Sequence, residues 1–197
     1  KPQNAGDLGK LQSQIQPALD RFKALPAEKQ DRLAKGYDCR EGQPSVRYLD
    51  NNLGIQNDMA YRPAYEAGGA GLASTIDDYA KFTQMLLNGG THNGVQILRP
   101  ATVKFLGGHT LSAVQQAGFD NWIGLEGFSY GNLMRVLVDP TRAVTLGSKG
   151  EFGWDGWLGC YMEVVPEQNM TFLMMTQKKD AGTYTLSRKI RNIIFSE

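Results

Sequence analysis

The segment Gly150-Glu-Phe-Gly-Trp-Asp-Gly-Trp-Leu-Gly-Cys-Tyr161 sets a glycine at every third position among Phe152, Trp154, Trp157 and Tyr161. An alternating apolar run, Tyr161-Met-Glu-Val-Val165, follows at once. Glycine at that density lets a second backbone or a ligand approach closely, and a strand directly behind it holds the backbone rigid. Such a loop–strand junction suits the presentation of main-chain N–H groups to a developing oxyanion. On composition alone the same residues favour a glycine-rich hairpin opening lined by core aromatics.

The segments around this stretch set the architecture. Asn132–Val138, Leu158–Val165 and Met170–Thr176 carry strand patterns, the last two joined by a turn at Pro166-Glu-Gln-Asn169. Upstream, Ser74 to Asn88 reads as a helix with Ser74 as its cap, Asp77 and Asp78 in the first turn, and a stop at Gly89-Gly90. Its expected buried stripe is Ile76, Tyr79, Phe82, Met85 and Leu86. Pro100 opens a short helix over Ala101–Leu106, and a closing amphipathic helix, Tyr184–Phe195, aligns Leu186, Ile190, Ile193 and Ile194. At the other end, Leu11, Ile15 and Leu19 mark a helix over Leu8–Phe22, with Asp7 as cap and Pro17 as kink. Residues 24–65 are polar and irregular, with a short strand expected around Val46–Leu49. The expected fold is α+β: an antiparallel half-sheet of about three strands with helices packed on it. Residues 1–65 form an N-terminal helix and irregular segment, residues 66–197 carry the rest, and the whole is one domain.

At 197 residues the chain is long enough for a sizeable core. A net charge of +1 gives no electrostatic reason to bind nucleic acid. No run approaches the roughly 18 apolar residues of a spanning helix, so no transmembrane segment is expected. A chain opening at Lys1 shows no secretory signal, which leaves a bacterial periplasm or cytoplasm equally open. Cys39 and Cys160 are too few for a disulfide framework, and His92 and His109 have no acidic neighbour at ligand spacing, so no metal site is expected.

Three short patterns read as coincidence. Gly127-Phe-Ser-Tyr-Gly131 matches the nucleophile elbow G-x-S-x-G, but that motif needs a helix after it and a histidine downstream, and here both histidines precede it. Gly69-Ala-Gly71 begins a dinucleotide fingerprint whose third glycine is replaced by Ser74. Asn169-Met-Thr171 is a glycosylation sequon set on a tight turn.

Two longer segments carry more. Gly68-Gly-Ala-Gly-Leu-Ala-Ser-Thr-Ile-Asp-Asp-Tyr-Ala-Lys-Phe-Thr-Gln-Met-Leu-Leu-Asn-Gly-Gly90, followed by Gly94-Val-Gln-Ile-Leu-Arg-Pro-Ala-Thr-Val103, resembles the serine β-lactamase-like and penicillin-binding-protein-like hydrolases. The resemblance is to the class C-like branch of esterases and D-alanyl-D-alanine carboxypeptidases. Ser148 to Tyr161, with Pro166 and Phe172-Leu-Met-Met-Thr-Gln177 behind it, resembles the third-motif region of that branch. The resemblance implies the serine transpeptidase-like fold and acyl-enzyme hydrolysis of an ester, amide or β-lactam, with no metal or organic cofactor. It implies that Trp154-Asp155-Gly156 stands at the third motif, Asp155 replacing a small residue. The same four positions, Trp154, Asp155, Gly156 and Trp157, would border a small acyl or peptide-type ligand. Trp157 falls where the family places a backbone N–H of the oxyanion hole, and its indole is expected to narrow the pocket.

The family's nucleophile is the serine of Ser-x-x-Lys. None of the serines at 13, 45, 74, 112, 129, 148 or 187 has a lysine three residues on, and Ser196 lies too near the end of the sequence. Thr176-Gln-Lys-Lys179 has the spacing at a strand end, and Tyr130-Gly-Asn132 fits Tyr-x-Asn but follows the Gly68–Gly90 segment where the family has it before. A serine nucleophile needs its base within hydrogen-bond reach, and these residues do not supply the pair. The resemblance also implies that two strands beside the half-sheet are missing from this sequence, leaving a bare edge. A homo-oligomer, or a complementing chain, is expected at that edge. Two readings stand beside that of a hydrolase's C-terminal portion: an inactive relative that binds a ligand at the Trp154–Trp157 edge, and a structural or interaction module.

Overall fold

Tyr161-Met-Glu-Val-Val165 becomes the fully buried fourth strand of a five-stranded antiparallel meander. A computed structural model of the chain describes residues 26–40, 42–50, 69, 71–108, 110–179 and 185–196. The expected helix over Leu8–Phe22, together with Gly68, Ala70, His109 and Tyr184, lies outside the described residues.

The chain divides into two compact units, Lys1–Lys35 with Leu49–Ala73, and Gly36–Tyr48 with Ser74–Glu197. In the first, α1 (Ala27–Gln30) is a single helical turn after Pro26. The second begins with β1 (Tyr37–Asp38) and β2 (Val46–Arg47), then α2 (Ile76–Leu87), the hairpin β3 (Thr91–His92) and β4 (Val95–Gln96), α3 (Pro100–Gly108) and α4 (Ala113–Phe119). The meander follows as β5 (Phe128–Tyr130), β6 (Arg135–Leu137), β7 (Phe152–Asp155), β8 (Tyr161–Val165) and β9 (Met170–Met174), each antiparallel to the next. Short β10 (Lys178–Lys179) pairs in parallel with β1, which pairs with β2 in a separate small sheet, and α5 (Leu186–Ile194) closes the unit.

Alternation along the strands divides the core between the two faces of the sheet. Val136, Phe152, Met162 and Val164 meet Met85 and Leu86 of α2 and Val103 of α3 on one face. Tyr161, Phe172 and Met174 meet Ile190 and Ile194 of α5 on the other. The sheet therefore lies between two helical layers.

Five strands stand where about three were expected. β5 is only three residues long, and Phe152-Gly-Trp-Asp155, inside the glycine-rich third-motif stretch, forms β7. Gly153 makes that strand possible: a Cβ on it would run into the Met162 carbonyl of β8. The glycine thus serves close approach of two strands as well as the turn beyond them.

The helices also differ from expectation. Thr75, not Ser74, caps α2: its side-chain oxygen accepts from the Asp78 N–H at 3.2 Å. Ile76 and Phe82 are exposed, while Thr83 is buried with its hydroxyl donated to the Ala80 carbonyl at 3.0 Å. On α5, Leu186 and Ile193 stay exposed, and Ser187 and Arg191 are buried in their place. The rotation brings Arg191 over two buried carboxylates, Glu151 and Glu163.

Candidate functional site

β7 ends at Asp155, and Gly156–Gly159 forms the turn into β8. The Gly156 N–H donates to the Cys160 carbonyl at 2.7 Å, the Gly159 N–H to the Gly156 carbonyl at 2.8 Å, and Gly159 takes φ of 85°. A left-handed backbone suits glycine there. Trp157 and Leu158 form the tip. The Leu158 carbonyl accepts twice, from the Thr176 hydroxyl and the Lys178 N–H, both at 2.9 Å. The Cys160 thiol reaches the Thr176 carbonyl at 3.2 Å. The segment that leaves β9 thus clamps the turn, and the ladder from Phe152↔Val164 to Asp155↔Tyr161 holds its base.

The large side chains of the motif are anchored. Trp157 lies edge-on to Tyr48, ring centroids 5.5 Å apart. The Lys179 ammonium sits 5.5 Å from the Tyr48 ring and 6.0 Å from that of Trp157, and 3.5 Å from the Asp38 carboxylate. The indole expected to narrow a pocket therefore leans on the Tyr48–Lys179 side. Trp154 packs edge-on against Tyr130 at 5.3 Å and lies 6.4 Å from Trp122, with Phe119 6.0 Å from both Trp122 and Tyr130. Trp122 remains 56% exposed, so this aromatic group has an open flank.

Asp155 has a structural explanation. Its carboxylate pairs with the guanidinium of Arg135 on neighbouring β6, whose side chain is 4% exposed against 27% for Asp155. That guanidinium also lies 4.9 Å from the Tyr161 ring centroid and 5.7 Å from those of Phe128 and Trp154. Burial works against its charge, yet Tyr161, Asp155 and Glu163 outweigh burial and raise its pKa. Asp155 acts as counter-ion to a cation inside the sheet.

A second buried charge group lies beneath α5. Arg191 donates to Glu151 at 2.5 Å, to Glu163, to the Tyr161 hydroxyl at 3.1 Å and to the Leu146 carbonyl at 2.8 Å. Glu151 also accepts from the Ser148 N–H at 2.9 Å. Burial first, then the neighbouring Glu163 carboxylate, push Glu151 up to about 8 despite Arg191. Burial and Glu163 likewise push Tyr161 up to about 12. Sequence reading passed over these charges, although Glu163 inside an apolar strand and Arg191 among isoleucines were visible signals.

The short patterns fall as structural features. Ser129 lies buried in β5 and its hydroxyl accepts from the Leu111 N–H at 3.0 Å, which explains the Gly127–Gly131 match without nucleophilic chemistry. Tyr130 packs on Trp154, and the Asn132 amide donates to the Phe105 carbonyl at 3.2 Å. Thr176 is the clamp described above. His92 lies in β3, and among the described residues no cluster of three or more His, Cys, Asp or Glu is placed to hold a metal ion. No described helix is long and apolar enough to cross a membrane.

Comparison with known proteins adds the wider frame. A family model described as Beta-lactamase matches residues 23–193. Protein Rv1367c of Mycobacterium tuberculosis (strain ATCC 25618 / H37Rv) is 34% identical over 122 residues, covering 58% of this chain and 30% of that protein. A protein of Escherichia coli (strain K12) named "Putative D-alanyl-D-alanine carboxypeptidase" is 35% identical over 112 residues, covering 57% of this chain and 23% of its own length. Among solved structures, EstCE1, a hydrolase with promiscuous acyltransferase activity, superposes with a TM-score of 0.63 at 22% identity, over 84% of this chain and 44% of that one. That likeness is one of fold. The chain spans less than a third of the length of the curated relatives it matches.

Proposed function

The chain belongs to the beta-lactamase family, and from that premise we propose that it is the C-terminal portion of a serine hydrolase working through an acyl-enzyme on an ester, amide or β-lactam. In this reading the serine of a Ser-x-x-Lys motif outside these residues adds to the acyl carbon. The bond to the leaving group breaks, that group departs with a proton, and water releases the acid. The portion in hand supplies the third-motif edge. The Trp157 N–H faces the developing oxyanion, Trp154 walls the bound group, and Asp155 keeps β7 in place through Arg135.

The observation that carries this reading is the clamped Gly156–Gly159 turn. An oxyanion donor stabilises charge only if it is already aimed when charge develops. Here the ladder with β8 and two bonds to the Leu158 carbonyl fix the main chain on both sides of the tip.

Labelling with a fluorophosphonate and a fluorescent penicillin tests it. The chain alone is expected to stay unlabelled, and a product of the same reading frame that includes a Ser-x-x-Lys segment is expected to be labelled. Covalent labelling of the chain alone would overturn the assignment. A reading frame without that motif would favour an inactive ligand-binding relative, which the open aromatic flank at Trp122 supports. Under that second reading an acyl or peptide ligand quenches tryptophan fluorescence, and Trp154→Ala abolishes the change.

A further inference from the structure

We propose that Glu151 and Glu163 hold one proton between them beneath α5, and that its loss is carried through Arg191, Tyr161 and Arg135 to Asp155, loosening the third-motif edge. The proposal rests on the place of that edge in the sheet, not on the reaction it serves.

The groups form one buried seam on the face of the sheet that α5 covers. Arg135 stands opposite Gly153, and Gly153 opposite Glu163, so β6, β7 and β8 align at this level. Gly153 has no side chain, which leaves the space over β7 between Arg135 and Glu163 to those two side chains. One step along, Asp155 stands opposite Tyr161. Cross-strand partners point to the same face, and Tyr161 packs there beside Ile190 and Ile194 of α5. Arg191 of the same helix reaches Glu151, Glu163 and the Tyr161 hydroxyl. That hydroxyl is held from two sides, since Arg191 donates to it at 3.1 Å and Arg135 donates to it as well. Arg135 pairs in turn with Asp155 at the end of β7. Polar contacts thus run without a break from Glu151 to the third-motif turn.

The charges along the seam do not match in number at its inner end. Glu151 and Glu163 share the Arg191 guanidinium, while Arg135 is engaged by Asp155. Glu151, Glu163, Arg135 and Arg191 are all buried. Backbone closes over the pair: a Cβ on Gly147 would stand 2.5 Å from an Arg191 nitrogen and 2.8 Å from both Glu151 carboxylate oxygens. Glu151 is faced by Arg191 from α5, by Glu163 from β8 and by the Ser148 N–H from the turn before it. Tyr161 of β8 and Arg135 of β6 stand next along the seam. Two neighbouring carboxylates shielded from water do not both ionise readily beside one cation, so the pair keeps a proton. The proton belongs to the pair rather than to either residue. The upward push on Glu151 from burial and from Glu163 agrees with that placement.

The direction of transmission follows from the layout. When the proton leaves, the Glu151–Glu163 pair gains a full negative charge beside Arg191 and across Gly153 from Arg135. Arg135 already answers to Tyr161, Asp155 and Glu163 together. Added negative charge on the inner side draws both guanidinia inward and weakens the hold of Arg135 on Asp155. Asp155 is the last residue of β7 and leads into the Gly156–Gly159 turn. The edge that presents Trp157 therefore loosens as pH rises and is fixed while the proton is held.

Intrinsic fluorescence reads the edge directly. The three tryptophans of the chain are Trp154 and Trp157 in the third motif and Trp122, 6.4 Å from Trp154. Emission of the full chain is titrated between about pH 5 and 10, with circular dichroism recorded alongside. One transition is expected with a midpoint at about 8 and unchanged circular dichroism. Glu151→Gln and Glu163→Gln each leave Arg191 a single carboxylate, and each should abolish the transition. A transition that survives in either variant assigns it to another group and overturns the stored proton. Tyr161→Phe removes the hydroxyl between the two guanidinia. It should keep the fall of the unfolding midpoint with pH yet lose most of the fluorescence change, a separation that a purely structural tyrosine would not produce. Full amplitude in Tyr161→Phe, or constant emission in the wild type, refutes the transmission. None of these readouts needs a nucleophile, so their failure is distinct from a failure of the labelling that tests the hydrolase reading.

Discussion

Replacing Asp155 by glycine sets a small residue into a sheet that depends on the carboxylate. Arg135 is buried beside it, against the rings of Phe128, Trp154 and Tyr161. Removing one partner of a buried ion pair costs about 3–5 kcal/mol, because the other charge is left in a poor dielectric. The Asp155 side chain is 27% exposed, so water screens part of the loss and the lower end applies, about 3 kcal/mol. In a chain of this size each kcal/mol moves Tm by about 2–4 °C, which gives a drop of about 6–12 °C. The assay is urea and thermal unfolding followed by circular dichroism for Asp155→Gly, Arg135→Met and the double variant. The double variant should recover at least about 1.5 kcal/mol relative to the sum of the single ones, since it removes the orphaned cation together with its partner. A loss below about 0.5 kcal/mol in Asp155→Gly, or additive single variants, would refute the account of Asp155 as a structural counter-ion.

Glu151 gives a pH dependence of definite sign. Its folded pKa is raised to about 8, so its contribution to stability is full below the ordinary carboxylate pKa and is lost as pH rises through about 8. Denaturant midpoints should fall between pH 5 and 9, and Glu151→Gln should flatten that slope; an unchanged slope in the variant would assign it to another group. Gly153→Ala places a Cβ against the Met162 carbonyl and should lower stability by about 1–3 kcal/mol, with β7–β8 amides losing protection from exchange first. Leu133 sits exposed at φ of 73°, a left-handed conformation that costs a non-glycine residue roughly 1–2 kcal/mol. Leu133→Gly should therefore raise the midpoint of chemical unfolding, and a lower midpoint would show that the leucine side chain makes a contact worth more than the strain.

Much of the fold was legible because it rests on local rules. The 3.6-residue pattern and first-turn acids of α2, the alternation of β8 and β9, and the turn at Pro166–Asn169, where Asn169 takes φ of 49°, all follow from neighbours in sequence. Asn93-Gly94 was an equally local signal, passed over: its residues take φ of 49° and 77° and join β3 to β4 in a two-residue hairpin. β5 was not legible, since three residues carry too little pattern, and in β7 the lone Gly153 interrupts the alternation that marks a strand. The candidate site divides in the same way. The order Trp154-Asp-Gly-Trp157 carries the resemblance by itself, while the clamp on its turn comes from Thr176 and Lys178, some twenty residues on.

The sequence by itself determined the amphipathic helices, the alternating strands and the family to which they belong, because each depends on residue type at short, regular spacing. Only the tertiary structure decided which charges are buried and which apolar residues stay exposed. Arg135 and Arg191 become buried cations only because the sheet brings Asp155, Glu151 and Glu163 against them. Leu186 and Ile193 read as core until α5 turns to bury Arg191 instead. Periodicity states that a helix has an apolar side, but which way that side turns is fixed by the strongest partners across the interface, here two carboxylates shielded from water.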